Sequence, residues 1–172
     1  FQHFRNAVVH FPCSSSDEKI EVVENGFIDC SESPIFDITG YLKTSPIFKG
    51  NTFDNIHSNN PVLRLKFEDN VNGIVFDNNT FRNFNTNNEL GGIGLEIDHV
   101  SNEILFNVSF SNCYFINNKN TNNQQNGGAL SFGPKQNNAN ICFYLFECFF
   151  ENNQIENKGS SLFLNIQHEI II

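Results

Sequence analysis

Five times along this 172-residue chain a bulky apolar residue is followed five positions later by phenylalanine, and two positions further on by Asn or Asp. The sets are Val22/Phe27/Asp29, Phe48/Phe53/Asn55, Phe76/Phe81/Asn83, Phe110/Phe115/Asn117 and Leu145/Phe150/Asn152. Their phenylalanines lie 26, 28, 34 and 35 residues apart, too far for a heptad and within the range of repeat architectures. Each set leads, after a polar stretch of variable length, into small residues and then alternating apolar ones: Ser33-Pro34-Ile35-Phe36, Pro61-Val62-Leu63-Arg64-Leu65, Gly91-Gly92-Ile93-Gly94-Leu95, Gly127-Gly128-Ala129-Leu130-Ser131-Phe132 and Gly159-Ser160-Ser161-Leu162-Phe163-Leu164. The pattern predicts two period-two strands per repeat with a loop between them, and a third strand leading into the next copy. The expected fold is all-β: a parallel β-helix, or solenoid, of about five coils, over 20–41, 45–67, 71–100, 104–133 and 141–166.

The physics of stacking explains the phase. If each coil lies parallel on the last, every position meets its own kind above and below, so phenylalanine rings stack and asparagines pass amide hydrogen bonds along a column. Phe27, Phe53, Phe81, Phe115 and Phe150 then form one inward column, with Asn25, Asn51, Asn79, Cys113 and Cys148 in another two residues earlier. Asn also tolerates the left-handed backbone of a sharp corner, and Gly91-Gly92 and Gly127-Gly128 fit the same need at the opposite corner. A disordered Asn-rich tract would have no such phase. A β-sandwich accounts for alternation but not for like residues at five equivalent positions.

Residues 1–19 read as an irregular lead-in or partial coil, with a turn at Pro12-Cys13-Ser14-Ser15-Ser16-Asp17, and residues 20–172 as the repeats. The chain lacks Met even at position 1, and Ile170-Ile171-Ile172 resembles the opening of another strand, so a segment of a longer protein is expected. A net charge of -9 argues against nucleic acid, whose binders carry excess Lys and Arg. No apolar run reaches 18 residues, so no membrane insertion by a helix is expected of this segment. Five cysteines show neither CxxC pairs nor zinc-like spacing. Cys113 and Cys148 share a repeat position and would stack with Cα atoms about 4.8 Å apart. A disulfide tolerates that distance, but parallel side-chain vectors strain it, and the pair reads as stacked buried thiols.

The motifs also carry a family resemblance. Gly127-Gly128-Ala129-Leu130, alternating with Phe115-Ile116-Asn117-Asn118 and Phe150-Glu151-Asn152-Asn153, resembles the repeat of the polymorphic outer-membrane protein family. Phe67-Glu68-Asp69-Asn70 and Phe76-Asp77-Asn78-Asn79 follow the same Phe-x-x-Asn form, and the resemblance spans roughly residues 45–166. It implies a right-handed parallel β-helix of the pectin-lyase-like kind, in a cell-surface or secreted region involved in adhesion. It carries over no catalytic residues.

Because parallel β-helices also house polysaccharide lyases and hydrolases, catalysis has to be weighed. Glycoside hydrolysis needs two carboxylates across the scissile bond. Glu96 and Asp98, on one strand face beside His99, form the best local cluster for an acid/base pair, but they read first as an ordinary exposed strand end. Arg64-Leu65-Lys66 reads as a solvated strand face, and His168-Glu169 lies in the terminal stretch. Asp17-Glu18 and Glu68-Asp69 lack the spaced ligands of a calcium loop. No phosphate loop, nucleophile elbow or zinc-protease motif occurs, and neither a cofactor nor a metal is expected.

The expected role is therefore a non-enzymatic, surface or secreted, adhesin-like segment that contacts a cell-surface protein or glycan. The alternatives are a carbohydrate-active β-helix enzyme with its active site outside this segment, and a structural spacer. The ligand-contact loop is expected at Lys119, Asn120, Asn122, Asn123, Gln124 and Gln125, where the polar insertions are longest. Asn78-Asn79-Thr80 and Asn107-Val108-Ser109 are glycosylation triplets, placing candidate acceptors at Asn78 and Asn107.

Overall fold

A computed structural model describes residues 9–13, 19–31, 35–40, 44–59, 63–67, 72–87, 93–98, 105–122, 128–132, 141–155, 162–164 and 170–171. Every regular element among these residues is a β-strand, and every strand pairing is parallel.

The strands fall into four sheets. Sheet I holds Val9–Cys13, Phe36–Gly40, Leu63–Phe67, Ile93–Asp98, Leu130–Phe132 and Leu162–Leu164. Sheet II holds Glu21–Val23, Ile47–Lys49, Gly73–Asp77, Phe106–Ser111, Ile141–Phe146 and Ile170–Ile171. Sheet III holds Gly26–Ile28, Thr52–Asp54, Thr80–Arg82, Tyr114–Ile116 and Phe149–Glu151, and sheet IV holds His57–Ser58, Asn85–Thr86, Lys119–Asn120 and Gln154–Ile155. From Phe36–Gly40 onward the chain visits the sheets in the order I, II, III, IV and then returns to I beside its previous strand. That cyclic order of parallel strands is consistent with a solenoid.

The expected columns are present. Phe27, Phe53, Phe81, Phe115 and Phe150 are register partners along sheet III. Their rings stack at centroid distances of 4.9, 4.9, 5.3 and 4.6 Å in turn. The first member of each set forms the adjoining column on sheet II, Val22, Phe48, Phe76, Phe110 and Leu145. Phe76 and Phe110 are stacked at 4.4 Å, and Phe76 meets Phe81 edge-on at 6.3 Å. Two aromatic columns thus interlock at a corner, where offset stacking and edge contacts satisfy the ring quadrupoles.

Two left-handed corners per repeat make this possible. The first, between sheets II and III, falls at Glu24, Gly50, Asn78, Asn112 and Glu147, and the second, between III and IV, at Asp29, Asn55, Asn83, Asn117 and Asn152. The Asn preference at the second corner is the expected one. Several corner residues are followed by a polar side chain turned inward, which satisfies backbone groups that the bend leaves unpaired. Asn51 donates Nδ2 to Val22 O at 2.8 Å, and Asn79 repeats the bond to Phe48 O at 2.8 Å. Cys113 and Cys148 occupy the same position, with Sγ 3.6 Å from Phe76 O and 3.5 Å from Phe110 O. The Phe-x-x-Asn motif acts likewise at the second corner: Asn118 bonds Phe81 O at 3.0 Å, and Asn153 bonds Phe115 O at 2.8 Å.

Three expectations need correction. Pro12 and Cys13, read as part of a turn, belong to the strand Val9–Cys13, at the edge of sheet I where proline is tolerated. Four of the five repeats hold a fourth short strand, that of sheet IV, beyond the three expected, and the first contributes only a bridge at Ser31. Gly128 answers a need for space: a Cβ there would lie 2.5 Å from the carbonyl oxygen of Gln154. Gly91, Gly92 and Gly127 lie outside the described residues.

Candidate functional site

Sheet IV shows how its two columns divide the work. Ser58, Thr86, Asn120 and Ile155 are buried partners, while His57, Asn85, Lys119 and Gln154 are the exposed ones. Each strand is two residues long, so the inner side chain anchors the ledge and the outer one is presented to solvent. Ser31 extends the outer line through a bridge to His57.

Along this ledge runs an open groove of about 460 Å³. Its walls come from four successive repeats: Ser31, then His57, Ser58 and Asn59, then Asn85, Thr86 and Asn87, and finally Thr121. Among the described residues the lining offers hydroxyls, amides and one imidazole. Asn59, Asn87 and Thr121 stand at the bases of the loops that lead on to sheet I. Backbone bonds hold these bases: Asn87 N–H donates to Ser58 O at 3.0 Å and Thr121 N–H to Thr86 O at 2.8 Å. The Thr121 hydroxyl adds a bond of 3.1 Å to the same Thr86 carbonyl.

The expected contact loop divides accordingly. Lys119 is exposed on the ledge, and Asn122 is half-buried with its N–H on Asn120 Oδ1 at 3.1 Å. Asn120 is a correction: it is fully buried, so its amide organises the loop from within and does not face a ligand. Asn123, Gln124 and Gln125 lie outside the described residues. Of the glycosylation candidates, Asn78 is exposed at a corner. Asn107 sits within a strand, half-buried, and its Oδ1 is enclosed without a hydrogen-bond partner.

Sheet I gathers charges that the sequence separates. Arg64 pairs in register with Asp37 on one side and Glu96 on the other, and Lys66 pairs with Thr39 and Asp98. His10 is the next partner of Asp37. His99, His168, Glu169, Asp17, Glu18, Glu68 and Asp69 lie outside the described residues.

Two further carboxylates bind neighbouring repeats together at the surface. Burial opposes ionisation of Asp54, but bonds from Arg82 at 2.7 Å and Asn83 at 2.8 Å outweigh it and hold the carboxyl below its usual range. Asp77 is held low chiefly by Lys49 at 3.0 Å, with Ser111 donating at 3.1 Å. Both pairs are cross-repeat clips, not a catalytic dyad. No group of three or more metal-ligating side chains occurs among the described residues, and none of their helices could cross a membrane.

No family model, curated protein or solved structure matches this chain.

Proposed function

We propose that the chain is a right-handed parallel β-helical segment of about five coils, surface-exposed or secreted, that binds a neutral glycan along the sheet IV groove without turning it over. The carrying observation is the groove's chemistry: a line of hydroxyl, amide and imidazole groups drawn from four repeats. Such groups match sugar hydroxyls as donors and acceptors. Strands of sheet IV repeat about every 4.8 Å, so polar groups of varied kind succeed one another along the axis as sugars do along an extended polysaccharide. The alternation of Gly-Gly-Ala-Leu and Phe-x-x-Asn elements supports kinship with the polymorphic outer-membrane protein repeats, and with it an adhesive role.

The test displays the chain on beads and measures retention on neutral-polysaccharide surfaces and on cells. His57→Ala/Asn85→Ala removes two exposed ledge groups and leaves the inward columns intact. Retention by the wild type and its loss in the double variant is the expected result. Retention equal to that of bare beads overturns the reading.

A second reading, a carbohydrate-active enzyme, is favoured by the register of sheet I, which pairs Arg64 with Asp37 and Glu96 and Lys66 with Asp98. Release of oligosaccharides from a polysaccharide panel by the same beads, abolished by Glu96→Gln, would establish it in place of the first.

A further inference from the structure

Cys113 and Cys148 break the asparagine column at two successive repeats, and they differ from the other described thiols. They immediately precede the register partners Tyr114 and Phe149, and the N–H of Phe149 donates to the carbonyl of Cys113 at 2.8 Å. Each Sγ reaches back to the preceding repeat and to its own corner: Cys113 to Phe76 O at 3.6 Å and Ser111 O at 3.2 Å, Cys148 to Phe110 O and Phe146 O at 3.5 Å each. The two thiols occupy the same position of neighbouring repeats, and both are free. Cys113 is fully buried, whereas Cys148 is half-exposed between the exposed rings of Phe146 and Phe149. One thiol of the pair is therefore within reach of reagents, and the other is buried at the same position of the preceding repeat.

We propose that this pair is a thiol modification site that takes low-molecular-weight disulfides, Cys148 as the attacking sulfur and Cys113 as the resolving one, closing a reversible disulfide between neighbouring repeats. Cys148 as thiolate attacks one sulfur of R–S–S–R, forming the mixed disulfide Cys148–S–S–R and releasing RS⁻. Cys113 then gives up its proton, and its sulfur attacks Cys148 Sγ and expels the second RS⁻. Both released thiolates are protonated, so the protein loses two electrons and two protons and the reagent becomes two RSH.

The surroundings suit those roles. Interaction with Cys113 brings the Cys148 thiol down to about 7. The same interaction, with burial, pushes Cys113 up. Capping Cys148 removes the thiolate that Cys113 was serving, and Asn79, which favours the ionised form of Cys113, stays beside it. The chain neighbour Glu147 is exposed at the corner. The product is labile by construction. Parallel neighbours hold their side chains about 4.8 Å apart, whereas a relaxed disulfide draws its Cβ atoms to about 3.8 Å. Strained bonds of this kind are the readily reduced ones.

The experiment incubates the native chain with oxidised glutathione, quenches with an alkylating agent, and maps every cysteine by mass spectrometry. Cys148 should react roughly tenfold faster than buried Cys30 or Cys142 at neutral pH, its rate levelling off above about pH 7. A Cys113–Cys148 peptide should accumulate and disappear on adding excess reduced glutathione. In Cys113→Ser the glutathione adduct should persist on Cys148. Should that variant not fold, the wild-type map decides alone. Modification of Cys148 no faster than Cys142, or a wild-type adduct that never proceeds to the cross-link, overturns the proposal.

Discussion

Asn79 Oδ1 accepts two hydrogen bonds from Asn51, one from its backbone N–H at 3.0 Å and one from its side-chain amide at 2.9 Å. The Asn79 amide in turn donates to Phe48 O at 2.8 Å. Both side chains are buried, so each repeat is tied to the next through groups that water cannot serve.

Asn79→Ala should consequently leave the Asn51 N–H and the Phe48 carbonyl without partners, at roughly 1 to 3 kcal/mol for each. Asn79→Cys should cost less, because the thiols of Cys113 and Cys148 already reach the equivalent carbonyls. Urea unfolding of the two variants checks the order. Equal stabilities for both and the wild type would show that the amide column contributes nothing.

The aromatic column sets the next expectation. Phe81 is fully buried, with Phe53 stacked on one face at 4.9 Å and Phe115 on the other at 5.3 Å. Phe81→Ala should cost about 3 to 5 kcal/mol, as for a large core truncation. Phe150 has a described ring partner on one side only and is partly exposed, so Phe150→Ala should cost clearly less. Denaturant midpoints that reverse this order would contradict the column as the source of stability.

The columns were legible because residue identity repeats in phase: phenylalanine at five equivalent positions, Asn or Asp two residues later. Sheet IV was not, because its strands are two residues long and cannot display alternation. Its outer line, Ser31, His57, Asn85, Lys119 and Gln154, shares no residue type, so the groove has no sequence signature. The charged line of sheet I was hidden by unequal loop lengths. Arg64 and Glu96 are 32 residues apart, and only the pairing of Leu63 with Leu95 brings them together. Asn120 misled for a related reason: its place in an Asn-rich stretch suggested solvent, whereas its register with buried Thr86 turns it inward.

Two glycines separate steric need from conformational need. At Gly128 a Cβ would meet the Gln154 backbone at 2.5 Å, which can be relieved only by moving one repeat against the next. Gly50 has φ of 65°, in a corner where Glu24, Asn78, Asn112 and Glu147 adopt the same left-handed form. Gly50→Asn should therefore be nearly neutral, and Gly50→Ala should lose about 1 to 2 kcal/mol. Gly128→Ala should be the most damaging of the three, measured as a fall in thermal midpoint.

The acidic limb of the stability profile should report Asp54 and Asp77. Both carboxyls titrate below their ordinary value in the folded chain, Asp54 because Arg82 and Asn83 outweigh its burial and Asp77 mainly because of Lys49. A depressed folded pKa means that the unfolded chain binds protons first as pH falls. The stabilisation is thus fully present above the unfolded value, about 3.9, and is lost as pH drops through the lower folded values. Unfolding midpoints should hold steady from pH 7 to about pH 5 and decline below about pH 4. Arg82→Gln/Lys49→Gln removes both cationic partners, so part of this decline should vanish while stability at neutral pH drops only modestly, as befits surface pairs. Acid curves that superimpose for wild type and double variant would assign the decline to other carboxylates.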